Sequence, residues 1–290
     1  MASSLHTISK VDAPLIWTPI LDRIHGQESP VSWIIPDFIP EGSLIALAGE
    51  PGTGKSFLSY TLGMNLAIGI PVLGWEFSRP FTVLYFDQEN SQSDSTQYLR
   101  WVYYAMALPI GSTSLHDALL AKNFHLASFA LGSDNWASQA ADYVRAVRPQ
   151  LIIIDTTTPS CNVQDENDNA EATRTIKALR WLMAQTTPVA ACLALKHAKV
   201  RTDGHGHTLR GAKAWEGSVD SIVFQVRAPW RPSKAQLASG LRATRLVPAK
   251  HRAFGLRHPI LINPEQTAQG LILHRGSAST EAPAEDSPSE

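Results

Sequence analysis

The stretch Gly49-Glu50-Pro51-Gly52-Thr53-Gly54-Lys55-Ser56 reads GxxxxGKS, the phosphate-binding P-loop, and it constrains the fold more than any other part of the chain. The motif works only between a buried strand and a helix, where the loop N–H groups converge on a phosphate at the helix N-terminus. Both flanks are readable. Leu44 to Ala48 is a short apolar run bounded by Gly42 and Gly49, which predicts a buried strand. Phe57, Leu58, Tyr60, Thr61, Met64, Leu66 and Ala67 carry helical spacing up to Gly69. A chance glycine-rich turn is the competing reading of the pattern. In this setting residues Gly49 through Ser56 are expected to bind nucleotide, with Lys55 on the β- and γ-phosphates and the Ser56 hydroxyl on Mg2+.

Further alternations of apolar runs and helical patterns point to an α/β fold with a mostly parallel sheet flanked by helices. Trp33 to Ser43, with two prolines and a turn glycine, reads as an extended lead-in to the P-loop strand. Thr82 to Phe86 predicts a second buried strand ending in Asp87-Gln88-Glu89-Asn90, followed by a helix from about Ser93 to Ala107. Phe124 to Ser128 reads as a third strand and Asn135 to Val147 as a helix closed by Pro149. Leu151-Ile152-Ile153-Ile154-Asp155 delivers a carboxylate at the C-terminal end of an aliphatic strand, where ligands bind in open α/β sheets. It reads as a Walker B segment, with Asp155 in the Mg2+ shell opposite Ser56; a buried strand that merely ends in Asp is the alternative. Hydrolysis also needs a group that orients or deprotonates water. Thr156, Thr157 and Thr158 follow Asp155, so that carboxylate must come from elsewhere, and Glu89 is preferred over its neighbour Asp87, on the expectation that its strand lies beside the P-loop strand.

The chain has 290 residues, 44% of them hydrophobic, enough for one large domain or two small ones. The net charge of −1 hides an asymmetry: from Lys196 to His258 there are thirteen Lys and Arg against three acids. Cys161 and Cys192 suggest neither a disulfide framework nor a zinc knuckle. The first residues lack a basic, then apolar, leader, and no apolar run approaches the roughly 18 residues of a membrane span. A cytoplasmic protein without membrane contact is expected. Residues 1–30 read as an N-terminal arm, 31–275 as one ATPase domain, and 276–290 as a disordered acidic tail.

The order of P-loop, Tyr85-Phe86-Asp87-Gln88-Glu89-Asn90, Leu151 to Asp155-Thr156 and the acidic loop Asp165-Glu166-Asn167-Asp168-Asn169 resembles the RecA-like ATPases of the RepA type, plasmid-encoded hexameric replicative helicases and their mobile-element relatives. The resemblance covers roughly residues 31 to 263 and implies a RecA-like P-loop NTPase core with C-terminal antiparallel strands. It extends to Leu195-Lys196-His197-Ala198-Lys199, where the family carries a His or Gln that senses the γ-phosphate, which makes His197 the sensor candidate; Lys196 stands where a second His can occur. Leu209-Arg210-Gly211-Ala212 through Phe224 looks like the Arg-Gly-Ser…Ala-Asp stretch of RecA-like helicases. Lys250-His251-Arg252-Ala253-Phe254-Gly255 resembles the Lys-x-Arg-x-Gly element of DnaB-type and KaiC-type rings, with Ala253-Phe254 adding a bulky residue. In those rings the Lys and Arg act on the nucleotide of the adjacent subunit, which implies that role for Lys250 and Arg252.

The residues by themselves leave plainer alternatives: a satisfied polar strand end for His197, a solvated β-hairpin edge for Lys250 and Arg252, a solvated loop for Asp165 to Asn169, and a mobile loop for His205 and His207, two imidazoles without a third ligand. The resemblance implies that loops after the strands ending near Asp155 and His197 face nucleic acid. Lys199, Arg201 and Arg210 are the candidate phosphate contacts, suited to single-stranded DNA without base readout. The expected protein is an ATP- and Mg2+-dependent homo-oligomeric ring, a hexamer, acting as a replicative helicase or DNA-associated motor. A KaiC-like regulatory ATPase switch and a P-loop small-molecule kinase are the alternatives.

Overall fold

A computed structural model describes residues 31–106, 113–127, 135–200, 207–210, 213–228, 242–251, 255–267 and 271–276. Apart from Val31 they belong to the unit Ser32–Glu290. The N-terminal arm, Arg201, His205, Arg252 and the tail from residue 277 lie outside the described residues.

Trp33–Ile35 (β1) and Ile39–Pro40 (β2) form a two-stranded antiparallel sheet, so the lead-in is a small hairpin rather than a continuous extension. Asp37, at φ 56°, lets the chain reverse there. β3 (Leu44–Gly49) is buried at every residue, as expected of a strand covered on both faces. The P-loop follows it, and α1 (Lys55–Ile68) ends where Gly69 adopts φ 75° and its N–H bonds the carbonyls of Asn65 and Leu66. Next come β4 (Val83–Asp87), α2 (Gln92–Ala105), α3 (Thr113–Asn123), β5 (Phe124–Ala127), α4 (Trp136–Val147) and β6 (Leu151–Asp155). The short α5 (Thr157–Ser160), α6 (Asn169–Met183), β7 (Ala191–Val200), β8 (His207–Leu209) and α7 (Ala214–Ser218) lead to four further strands. These are β9 (Ser221–Arg227), β10 (Thr244–His251), β11 (Ile260–Gln266) and β12 (Leu271–Arg275).

Ten strands share one sheet in the order β12-β11-β10-β9-β3-β7-β6-β4-β5, with β8 paired to β7. From β9 to β5 the ladders are parallel, and β9 to β12 are joined antiparallel. The fold is therefore the α/β class expected, with C-terminal antiparallel strands. β4 is not beside the P-loop strand: β7 and β6 stand between them. β10 pairs with β9 along its length but with β11 only from Thr244 to Leu246, so Lys250 lies on a stretch paired on one side among the described residues, as the plainer edge reading has it. His207 lies in β8 rather than in a loop. The helices α3 and α6 were not expected from the apolar spacing.

Because side chains alternate across a strand, the sheet separates two cores. On one face Ile45, Leu47, Leu193 and Val223 pack with Leu58 and Leu62 of α1 and Val102 of α2. On the other, Leu44, Ala46, Ala48 and Ile222 pack with Ala140 and Val144 of α4, Ile176 and Leu179 of α6 and Trp215 of α7. Asp220 fixes the base of the P-loop strand: its Oδ2 accepts from the Leu44 N–H at 2.8 Å and pairs with Arg180 of α6 at 2.8 Å.

Candidate functional site

The P-loop closes on itself through backbone and side-chain bonds. Gly52 and Gly54 adopt φ 73° and 86°, a region open to glycine. Thr53 bonds the Glu50 carbonyl through both its N–H (3.3 Å) and its Oγ1 (2.9 Å). Lys55 is only 6% exposed, and its Nζ donates to the carbonyls of Gly49 (3.0 Å) and Glu50 (3.2 Å). Burial lowers the pKa of this ammonium, while the nearby Glu89 and Asp155 carboxylates oppose that shift.

A residue that sequence reading missed supports the loop from the side. Gln225 on β9 donates from Nε2 to the Thr53 carbonyl (2.9 Å) and to Thr244 Oγ1 on β10 (3.2 Å). A Cβ on Gly49 would fall 2.6 Å from the Gln225 carbonyl oxygen and 2.7 Å from Thr53 Oγ1, so the strand and loop touch with no room for a side chain.

A cavity of about 530 Å3 opens over the loop. Pro51 to Phe57, Glu89, Asn90 and His197 line one side of it, and Tyr98, Trp101, Arg227, Arg242 and Leu271 are among the residues of the rest. Glu89 reaches this cavity although β4 is remote from β3, because the chain beyond β4 carries it there. Its Oε1 lies 3.8 Å from Nε2 of His197, the residue level with Gly49 on the adjoining strand β7. Burial, then the Lys55 charge, lowers the pKa of His197, against the pull of Glu89 and Glu166. Asp87 is occupied elsewhere. It accepts from Tyr60 OH (2.6 Å), Ser95 Oγ (2.6 Å), the N–H groups of Glu89 (3.2 Å) and Asn90 (3.0 Å), and Asn90 Nδ2. That bonding makes Asp87 the anchor of the Glu89 loop.

Asp155 is fully buried at the end of β6. Burial pushes its pKa up to about 7, while hydroxyls of Tyr85 and Ser56 pull the other way. Oδ2 accepts from Tyr85 OH at 2.7 Å and from Asn90 Nδ2 at 3.4 Å; Oδ1 has no hydrogen-bond partner. Among the described residues no group of three or more His, Cys, Asp and Glu is placed to hold a metal ion alone. A buried carboxylate with one unsatisfied oxygen, beside a serine hydroxyl, fits Mg2+, which is held by one or two protein groups together with phosphates and waters.

The other sequence candidates do not meet at this cavity. Lys250 donates from Nζ to the carbonyls of Glu216 and Val219 (the latter at 2.9 Å), at the end of α7 in its own chain, and its partner in the motif, Arg252, is outside the described residues. Lys199 is exposed near the end of β7. Arg210 pairs with Glu166 of the acidic loop at 3.2 Å, and Glu166 also accepts from Thr158. Lys196, adjacent to His197, points to the opposite sheet face. It is 4% exposed, with Nζ 3.3 Å from Thr157 Oγ1 and 4.4 Å from the Trp215 ring centroid. Alternation along β7 was the available signal for that inversion.

No helix among the described residues is long and apolar enough to cross a membrane. No curated protein sequence matches this chain. The model of the AAA domain family (AAA_25) matches residues 14–203, more than half of the chain, and spans the P-loop, the Glu89 loop, Asp155 and His197. With that match laid over a P-loop whose lysine, buried carboxylate and parallel sheet stand as described, the chain belongs to the AAA domain family of P-loop ATPases.

Proposed function

We propose that the protein is a RecA-like ring ATPase that couples ATP hydrolysis to movement along single-stranded DNA, as a replicative helicase or a DNA-associated motor. The observation that carries the reading is the approach of Glu89 and His197 to 3.8 Å over the P-loop cavity, from strands that are not neighbours. That arrangement sets a carboxylate and an imidazole at the open side of the loop that Gly49 to Ser56 form.

In this reading Lys55 leaves the Gly49 and Glu50 carbonyls for the β- and γ-phosphates. Glu89 orients the attacking water and accepts its proton as the water oxygen bonds the γ-phosphorus and the bond to the ADP oxygen breaks. His197, next to Glu89, senses whether the γ-phosphate is present. Ser56 and Asp155 would hold Mg2+, which when bound neutralises charge on the phosphate oxygens. Lys250 and Arg252 act on the nucleotide of a neighbouring subunit, and Lys199, Arg201 and Arg210 follow DNA phosphates in a hexameric ring.

A regulatory ATPase without translocation is the second reading. The ion pair of Arg210 with Glu166 favours it, because it neutralises one of the few cations offered to DNA. ATPase rate with and without oligo-dT, alongside native mass, separates the two. The motor reading expects a hexamer and stimulation by DNA, with affinity falling steeply with salt. Lys199→Ala with Arg201→Ala should flatten the slope of log affinity against log salt by about 0.7 per lost phosphate contact. A ring whose hydrolysis ignores DNA is the switch.

A further inference from the structure

Behind the cavity, a chain of hydroxyls connects the P-loop helix to the buried carboxylate of β6. Ser59 Oγ on α1 lies 2.7 Å from Tyr85 OH on β4, and Tyr85 OH lies 2.7 Å from Asp155 Oδ2. With Asp155 ionised, the phenol donates to the carboxylate, and its own oxygen is then an acceptor for Ser59, whose single hydroxyl proton it shares with one further acceptor. Ser59 Oγ is also 2.9 Å from the carbonyl of Ser56, the residue expected on the cation. The Tyr85 ring cannot pivot away from this line. It is fully buried and stacked on Tyr60 at 4.2 Å between centroids and 12° between planes, and the Tyr60 hydroxyl is in turn fixed to Asp87.

Asp155 is therefore held at one oxygen only. Tyr85 and, at longer range, Asn90 occupy Oδ2, and Oδ1 is left buried without a partner. The flanking residues of β6 are apolar, Ile152 and Ile154 packing into one core and Ile153 into the other, so the polar groups about this carboxylate come from other elements: Tyr85 and Asn90 at Oδ2, and the Ser56 hydroxyl beside it. A buried acceptor without a donor is costly, so Oδ1 is the oxygen open to a group that the chain itself does not supply.

We propose that Tyr85 is a positioning residue for the cation site: its hydroxyl, steered by Ser59 of the P-loop helix, fixes Asp155 through Oδ2 and keeps Oδ1 for Mg2+. This rests on the reading of Asp155 and Ser56 as the groups that hold the cation. It makes the placement of the carboxylate depend on α1 as well as on β6, so the two halves of the cation site move together. Groups that orient a metal ligand from behind are worth about tenfold to a hundredfold in metal affinity.

The test is Mn2+ binding to the protein–ADP complex, read by electron paramagnetic resonance, for wild type, Tyr85→Phe, Ser59→Ala and Asp155→Asn. ADP affinity in EDTA is measured in parallel. Tyr85→Phe keeps the ring and its stacking and removes only the hydroxyl. It should weaken Mn2+ about tenfold or more and leave metal-free ADP binding within about twofold of wild type. Ser59→Ala should move Mn2+ affinity in the same direction by less. An unchanged Mn2+ affinity in Tyr85→Phe, with Asp155→Asn weakened, overturns this inference alone. An equal loss of metal-free ADP binding also overturns it, since the hydroxyl would then serve the P-loop as a whole. An unchanged affinity in Asp155→Asn overturns the cation reading and this inference with it.

Discussion

The two ends of the pair β9–β10 are unlike. At one, Gln225 and Thr244 sit against the P-loop, and Gln225 holds the Thr53 carbonyl of the same chain. At the other, Lys250 stands opposite Ile222, three residues back along β9 and so roughly 10 Å away at about 3.3 Å per residue. It also faces the α7 side of the sheet, where its ammonium caps carbonyls left open at the end of that short helix. The first end is built into its own nucleotide cradle. The second is turned from that cradle, so a nucleotide met by Lys250 would have to belong to another copy of the chain.

That contrast is broken most sharply by mixing chains. Under the ring reading Arg252→Ala should lower turnover by about 10³–10⁵, and Lys55→Ala should be inactive because it cannot hold phosphate. Combined, they should regain ATPase activity at interfaces that pair an intact site with an intact finger. Mixed oligomers, seen by native mass, whose turnover stays lost would remove the action in trans and leave Lys250 with its structural role at α7.

A smaller loss is expected within the cradle. Glu89→Gln should reduce turnover by about 10²–10⁴ with nucleotide binding retained, and no mixing partner should restore the mutated sites. Asp87→Asn should instead lower the melting temperature, since that carboxylate anchors Tyr60, Ser95 and the loop carrying Glu89. Near-full turnover in Glu89→Gln together with loss in Asp87→Asn would reverse the assignment.

The mildest effect belongs to the near end of β9. Gln225→Leu removes one donor from a P-loop carbonyl, worth about 1–3 kcal/mol when the acceptor stays buried. KM for ATP should rise about tenfold with kcat changed less than about twofold. A fall in kcat at constant KM would mean that Gln225 acts on the reaction and not on the shape of the loop.

Much of this site was legible in the residues because its signals are contiguous. The P-loop, the strand ending in Asp155 and the run through Lys196-His197 each announce a buried strand with polar groups at or near its C-terminal end. What escaped depends on partners distant in sequence. Gln225 meets Thr53 across 172 residues and Tyr85 meets Asp155 across 70. The order β9-β3-β7-β6-β4 is set by crossovers and not by neighbours along the chain, which is why β4 was misplaced beside β3. Parity was a usable clue: Val83, Tyr85 and Asp87 alternate with Leu84 and Phe86, so Tyr85 and Asp87 had to share a face. α6 escaped because its polar first turn, Asn169 to Thr173, merges with the acidic loop ahead of it; only Asp168, whose side chain accepts from the Ala170 N–H, marks the start.

Gly49 carries a historical consequence. The space where its side chain would stand is filled by the Gln225 carbonyl and the Thr53 hydroxyl before any nucleotide arrives. The first glycine of the motif is thus demanded by the neighbouring strand, whereas Lys55 is demanded by phosphate. Selection would let go of the two at different times. A descendant of this chain that gave up ATP but kept its sheet would lose Lys55 early and retain Gly49 long afterwards, a glycine surviving as the imprint of a vanished activity.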